Sequence, residues 1–210
     1  MKLSTSATSK QFKTVPAGSH LGRLYKIVDI GTQQGEWKGK ATYSRKAVFY
    51  FELHGDDASG QPLAMDDGKP MIVTKYYNAS LNEKSTLRKH LEAWLNIDFN
   101  SMPEGFEASS LLGKFAMVNV TNYLKDGNTK SSVESLTAVP SIVSKHGLPA
   151  GINDIFMFDL DKFDSAKYES LSDGIKNLIQ NSPEFRNLAQ KGKAPSKAAI
   201  DDNFDDPIPF

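Results

Sequence analysis

The chain has 210 residues, 39% of them hydrophobic, and its 25 basic and 25 acidic side chains cancel. That size suits one domain with appendages. No apolar run nears membrane-spanning length, and with zero cysteines neither a disulfide framework nor a thiolate metal site is available. The opening MKLSTSATSKQFK lacks the apolar stretch of a signal peptide, so a cytoplasmic protein is expected. The cancelled charge hides an asymmetry. The last ten residues hold four acidic groups and no basic one, which leaves residues 1–200 with 25 cations against 21 anions, a net +4. Between residues 10 and 46, Lys10, Lys13, Arg23, Lys26, Lys38, Lys40, Arg45 and Lys46 face only Asp29 and Glu36. A basic body with an acidic tail points to a polyanionic ligand and to a tail that competes with it.

Residues 1–15 are polar and aperiodic and read as a flexible arm. A first strand is expected from about His20 to Thr32; its imperfect alternation fits a bulged, strongly coiled strand. Gly31 to Thr42 reads as a Gly-rich connection. A second strand, about Arg45 to Leu53, alternates well: Ala47, Phe49, Phe51 and Leu53 face one way, Lys46, Val48, Tyr50 and Glu52 the other. The stretch HGDDASGQPLAMDDGKP is a breaker-rich loop, and a third strand runs from about Pro70 to Asn78. A helix follows. Ser80 and Glu83 form a capping-box pattern, and Leu87, Leu91, Trp94 and Leu95 share one face, which makes Trp94 a core residue. A fourth strand spans about Gly113 to Leu124, with Ala116, Val118, Val120 and Leu124 on its inner face. Asp126-Gly127 signals a hairpin turn, and a fifth strand runs from about Lys130 to Val139.

Three strands, a helix and two more strands follow the order of an OB-fold barrel, which uses one face and its flanking loops for oligonucleotides. The expected fold is mainly β with some α: a five-stranded OB-fold barrel over residues 16–140, with the helix between strands three and four. Residues 141–191 form a C-terminal extension. In it, INDIFMFDLDKF reads as strand-like, and Tyr168, Leu171, Ile175, Leu178 and Ile179 give a helical stripe. Ser182-Pro183 opens a last helix. The extension is expected to pack on the barrel or on a second copy. Residues 192–210 are a linker and a disordered acidic tail.

Binding a single strand needs cations that track phosphates and flat side chains that stack on bases. GTQQGEWKGKATYSRK supplies both, with Trp37 and Tyr43 interleaved among Lys38, Lys40, Arg45 and Lys46. Tyr50 lies on the second-strand face that carries Lys46. One of Tyr76 and Tyr77 must point outward beside Lys75, and the alternation does not say which. Tyr123 with Lys125 flanks the Asp126-Gly127 turn, and Arg23 and Lys26 on the first strand are candidate phosphate contacts. In the tail, Asp201, Asp202, Asp205 and Asp206 precede Ile208, Pro209 and Phe210. An apolar end on a segment too polar to fold alone reads as a bait: Ile208 and Phe210 fill a partner's pocket, and basic groups at its rim take the aspartates and the terminal carboxylate.

The tail resembles the acidic tip of bacterial and phage single-stranded DNA-binding proteins, which end in aspartates followed by Ile-Pro-Phe and recruit replication and repair partners. Pro207 stands where the bacterial tip has another aspartate. The stretches AGSHLGRLYKIVDIGTQQGEWKGK, LRKHLEAWL, LGKFAMVNV and IFMFDLDKFDSAKYESLSDGIKNLIQNSPEF resemble phage proteins of replication and recombination modules that bind single-stranded DNA. This resemblance implies an OB-fold body, single-stranded DNA and replication or recombination proteins as partners, and the host-cell cytoplasm as the location. It does not assign the residues that touch DNA.

Enzymatic readings find little support. Gly113-Lys114 is followed by Phe115, so the hydroxyl of a phosphate-binding loop is missing. His20, His54, His90 and His146 have no metal-ligand spacing, and His90 reads as solvated. Asp159, Asp161 and Asp164 lack the Gly and closing Glu of a calcium loop. Asp56, Asp57, Asp66 and Asp67 share one breaker-rich loop. No cofactor, metal or catalytic group is expected. The rival readings are an annealing protein for recombination, a protein-binding adaptor and, last, a nuclease.

Overall fold

The computed structural model describes residues 13–101, 105–192 and 194. The arm up to residue 12 and the tail residues Asp201, Asp202, Asp205, Asp206, Ile208, Pro209 and Phe210 lie outside the described residues. Among those described are strands β1 (Gly18–Trp37), β2 (Lys40–His54), β3 (Ile72–Asn78), β4 (Phe115–Lys125), β5 (Asn128–Thr137) and β6 (Phe156–Phe158). The helices are α1 (Thr86–Leu95), α2 (Ser141–Lys145), α3 (Ser165–Glu169), α4 (Asp173–Asn181) and α5 (Pro183–Gln190). The fold is mainly β with some α. One sheet runs β3-β2-β1-β4-β5, each neighbour antiparallel, and β6 lies parallel to β1. No backbone ladder joins β3 to β5 among the described residues, so the sheet is open there. The expected closed barrel is replaced by a seam that side chains span. Lys75 Nζ donates to the Val133 carbonyl across it, at 2.6 Å.

β1 is longer than its hydrophobic pattern suggested because it is bulged twice, between Leu24 and Lys26 and between Asp29 and Thr32. The second bulge contains Gly31 at φ +69°, where an added Cβ would sit 2.5 Å from Ser182 Cβ. Beyond it the ladder continues to Trp37 opposite Lys40. The expected Gly-rich connection is therefore mostly a two-stranded arm, closed by Lys38 and Gly39, both at positive φ. Asp126 and Gly127 close the β4–β5 hairpin in the same way.

Two hydrophobic cores lie on opposite faces of β1 and β2. The first sits inside the curved sheet: Phe49, Phe51, Leu53, Val73 and Tyr77 meet Ala116, Val118, Val120, Val133 and Leu136. Leu87, Leu91 and Trp94 of α1 cover them, and Trp94 Nε1 donates to the Phe115 carbonyl at 2.7 Å. Leu124 is 78% exposed and not on this inner face, because it sits near the tip of the β4–β5 hairpin, opposite Thr129 and beyond the core. The cap of α1 is Ser85, not Ser80. The Ser85 hydroxyl accepts from the Arg88 amide and donates to the Ser80 carbonyl, so Ser80 braces the cap.

The second core is the extension laid on the other face. Phe158, Leu160, Tyr168, Leu171, Ile175, Leu178, Ile179 and Phe185 pack on Val28, Ile30 and Val48. The Tyr168 and Phe185 rings stack at 5.3 Å, and burying each such ring contributes roughly 1.5–3 kcal/mol. Ser182 caps α5, with Pro183 at its first position, by accepting from the Phe185 amide. A polar clamp fixes the same segment. Glu52, 0% exposed, accepts from Arg23 at 2.8 Å, from the Ile152 and Asn153 amides at 3.0 and 2.7 Å, and from Asn153 Nδ2 at 2.6 Å. Burial alone would push this carboxyl up, but Arg23 and the Asn153 and Ile152 donors outweigh it and hold it down at about 2.

Candidate nucleic-acid interface

The open seam is also the floor of a groove of about 770 Å³. β2 contributes Lys46 to its wall; β3 contributes Thr74, Lys75, Tyr76 and Asn78. The β4–β5 hairpin supplies Thr121, Tyr123, Leu124 and Lys125 on one strand and Ser131, Ser132 and Glu134 on the other. Five residues chosen from the sequence thus meet in one place: Lys46, Lys75, Tyr76, Tyr123 and Lys125. Burial pushes the ammonium groups of Lys46 and Lys75 down from their ordinary range, and Glu134 partly offsets this at Lys75. A phosphate entering the cleft would meet cations already stripped of some water, where each contact is stronger than at an open surface.

Four more candidates stand on the β1–β2 arm. Trp37 and Tyr43 are each 68% exposed, and Lys38 Nζ lies 5.8 Å from the Trp37 ring centre. Trp37 is paired with Lys40, and strand alternation puts both on the β2 face that carries Lys46 at the arm's base. Trp37 and Lys40 thus continue the Lys46 side of the cleft, and Tyr43, of opposite parity, stands on the arm's other face.

The other five are committed elsewhere. Tyr77 is 2% exposed and its hydroxyl meets His90 Nδ1 at 2.8 Å, so Tyr76 is the outward tyrosine and Tyr77 belongs to the core. His90 is correspondingly buried, not solvated, and burial pushes its pKa down. Arg23 is bound to Glu52 and to the Asn153 carbonyl. Arg45 pairs with Asp29 and, at 2.9 Å, with Asp161; the Asp29 bond is the largest influence on its pKa, which rises. Lys26 sits 5.0 Å from the Tyr50 ring centre and 4.9 Å from that of Phe156, and burial lowers its pKa. Tyr50 packs on Tyr25 and has its hydroxyl pKa raised, first by burial. One cause serves Arg23, Lys26 and Tyr50: the extension lies on their face of β1 and β2, whereas Arg45, on the opposite face of β2, is held by Asp29 of β1 and by Asp161.

Thr74, Asn78, Thr121, Leu124, Ser131, Ser132 and Glu134 were not anticipated. Leu124 was expected on the inner face; the only signal of the other six is polarity alternating with Val73, Val120 and Val133, which any solvent-facing strand shares. Among the described residues no three His, Asp or Glu side chains converge as a metal site. Asp57 and Asp67 instead accept bonds from amides of their own loops. No described helix is long and apolar enough to cross a membrane. The chain matches no family model and no curated protein.

Proposed function

We propose that this chain binds single-stranded DNA in the manner of phage replication and recombination proteins, on an OB-fold body. The element order supports the fold: β1 pairs with both β2 and β4, a helix separates β3 from β4, and β5 returns toward β3. The observation that carries the function is the convergence of Lys46, Lys75, Lys125, Tyr76 and Tyr123 on one cleft, beside an arm bearing Trp37 and Tyr43. Cations on a groove with exposed rings suit a strand whose bases are unpaired and free to stack. The protein acts without catalysis. Segment 201–210 recruits replication or recombination proteins through Ile208, Pro209 and Phe210, and its four aspartates compete for the basic groove when DNA is absent.

Tryptophan fluorescence tests this directly. Trp94 is buried at 3% exposure, so quenching by oligo-dT reports Trp37. Saturable quenching that weakens with salt is expected. No quenching and no binding in dilute buffer would defeat the reading. It would favour a protein-binding adaptor instead, for which the exposed Ile142, Ile152 and Ile155 of the extension are the supporting observation.

A further inference from the structure

The cleft holds one carboxylate, Glu134, among three lysines. A groove that only follows phosphates gains nothing from an acid, which repels them. The backbone nevertheless places it there. Asn119 pairs with Ser135 and Val120 with Val133, so Glu134 is the extra residue of a β-bulge. The bulge lets Val133 and Leu136, 0% and 1% exposed, both enter the core while Glu134 turns outward. The Lys75 ammonium is its neighbour: it bonds the carbonyl of the peptide leading into Glu134 and is electrostatically coupled to that side chain. An ammonium carries three donors, so one bond to Val133 does not exhaust it.

We propose that Lys75 and Glu134 together read guanine in a bound single strand. Along its Watson–Crick edge guanine presents the O6 acceptor, then the N1–H and N2–H donors. An ammonium beside a carboxylate complements that order, and the carboxylate can take both donors at once. Adenine and cytosine put an amino donor where guanine has O6 and an acceptor where it has N1–H, so both charges face the wrong partner. Thymine matches at O4 and N3–H but ends on O2, which the carboxylate repels. In a duplex this edge is used by pairing, so the subsite works only on unpaired bases. Tyr76 and Tyr123 line the same cleft, so a base entering it meets aromatic side chains. The inference rests on the single-strand reading and refines it: the groove takes any strand, and one position favours guanine.

The test is fluorescence anisotropy on the full chain with labelled oligo-dT and the same oligonucleotide carrying one central dG, inosine or dA. A single dG is expected to tighten binding by about fivefold or more, the gain of a good bidentate base contact. Inosine, without the N2 amino group, should give less and dA none. In Glu134→Gln the loss of a negative charge tightens plain oligo-dT, and the dG advantage disappears. Equal affinity for the dG and dA strands in the native chain, or an undiminished dG advantage in the variant, overturns the inference and leaves single-strand binding intact. Absence of binding to every oligonucleotide at low salt removes both.

Discussion

Replacing Glu52 by Gln should loosen the extension from the sheet. The carboxylate is 0% exposed and holds residues from three parts of the chain: Arg23 on β1, His54 on β2, and Ile152 and Asn153 in the extension. Gln keeps one acceptor oxygen but turns an amide donor toward a cluster of donors, and leaves the Arg23 guanidinium without its counter-charge. Removing one partner of such a buried pair costs about 3–5 kcal/mol. Urea unfolding at neutral pH should show a loss of that order. Titration gives a second signature. The folded carboxyl is held at about 2, below its ordinary 4.5. The native chain therefore has this contribution in full above pH 4.5 and loses it as pH falls toward 2. Glu52→Gln should lack that part of the acid slope. An unchanged urea midpoint, or the same stability difference at pH 2 as at pH 7, would refute the clamp.

Trp37→Ala should weaken oligo-dT binding by about tenfold, within the range for loss of one stacking ring, as read by anisotropy. Lys38→Ala with Lys40→Ala should flatten the plot of log affinity against log salt by about 1.4, two phosphate contacts' worth for a single strand; an unchanged slope removes the arm from the interface. Gly31→Ala forces a side chain into φ +69° and into Ser182, so thermal unfolding should show a loss of about 2 kcal/mol or more, borne by the seating of α5. A neutral Gly31→Ala would contradict the close approach of β1 and α5.

Features set by neighbours in the chain were readable before the structure. The apolar stripe of α1 placed Trp94 in the core, Asp126-Gly127 marked its turn, and Ser182-Pro183 marked the start of α5. Three glycines made the β1–β2 arm look like a loop. They serve different ends: Gly31 sits in a bulge, Gly35 pairs with Thr42, and Gly39 forms the turn. The outer face of β2 misled for another reason. Lys46, Val48, Tyr50 and Glu52 carry the mixed polarity of a solvated strand. What covers most of it comes from far along the chain: Asn153, bonded to Glu52, lies 101 residues away. The same distance hid Arg45 behind Asp161 and set Arg23 against Asn153. Clefts made by two hairpins meeting edge to edge, as at Lys75 and Val133, leave no periodic mark at all.

With the extension as a roof, β1 and β2 have no weather side over Val28, Ile30 and Val48. Anyone trimming the chain near residue 140 to isolate the body would strip that roof. Three aliphatic side chains and the flank of Tyr50 would then stand bare in water, together with a Glu52 shorn of its Asn153 and Ile152 donors. Such a fragment should clump through that stripe. The shortest well-behaved body has to run through α5.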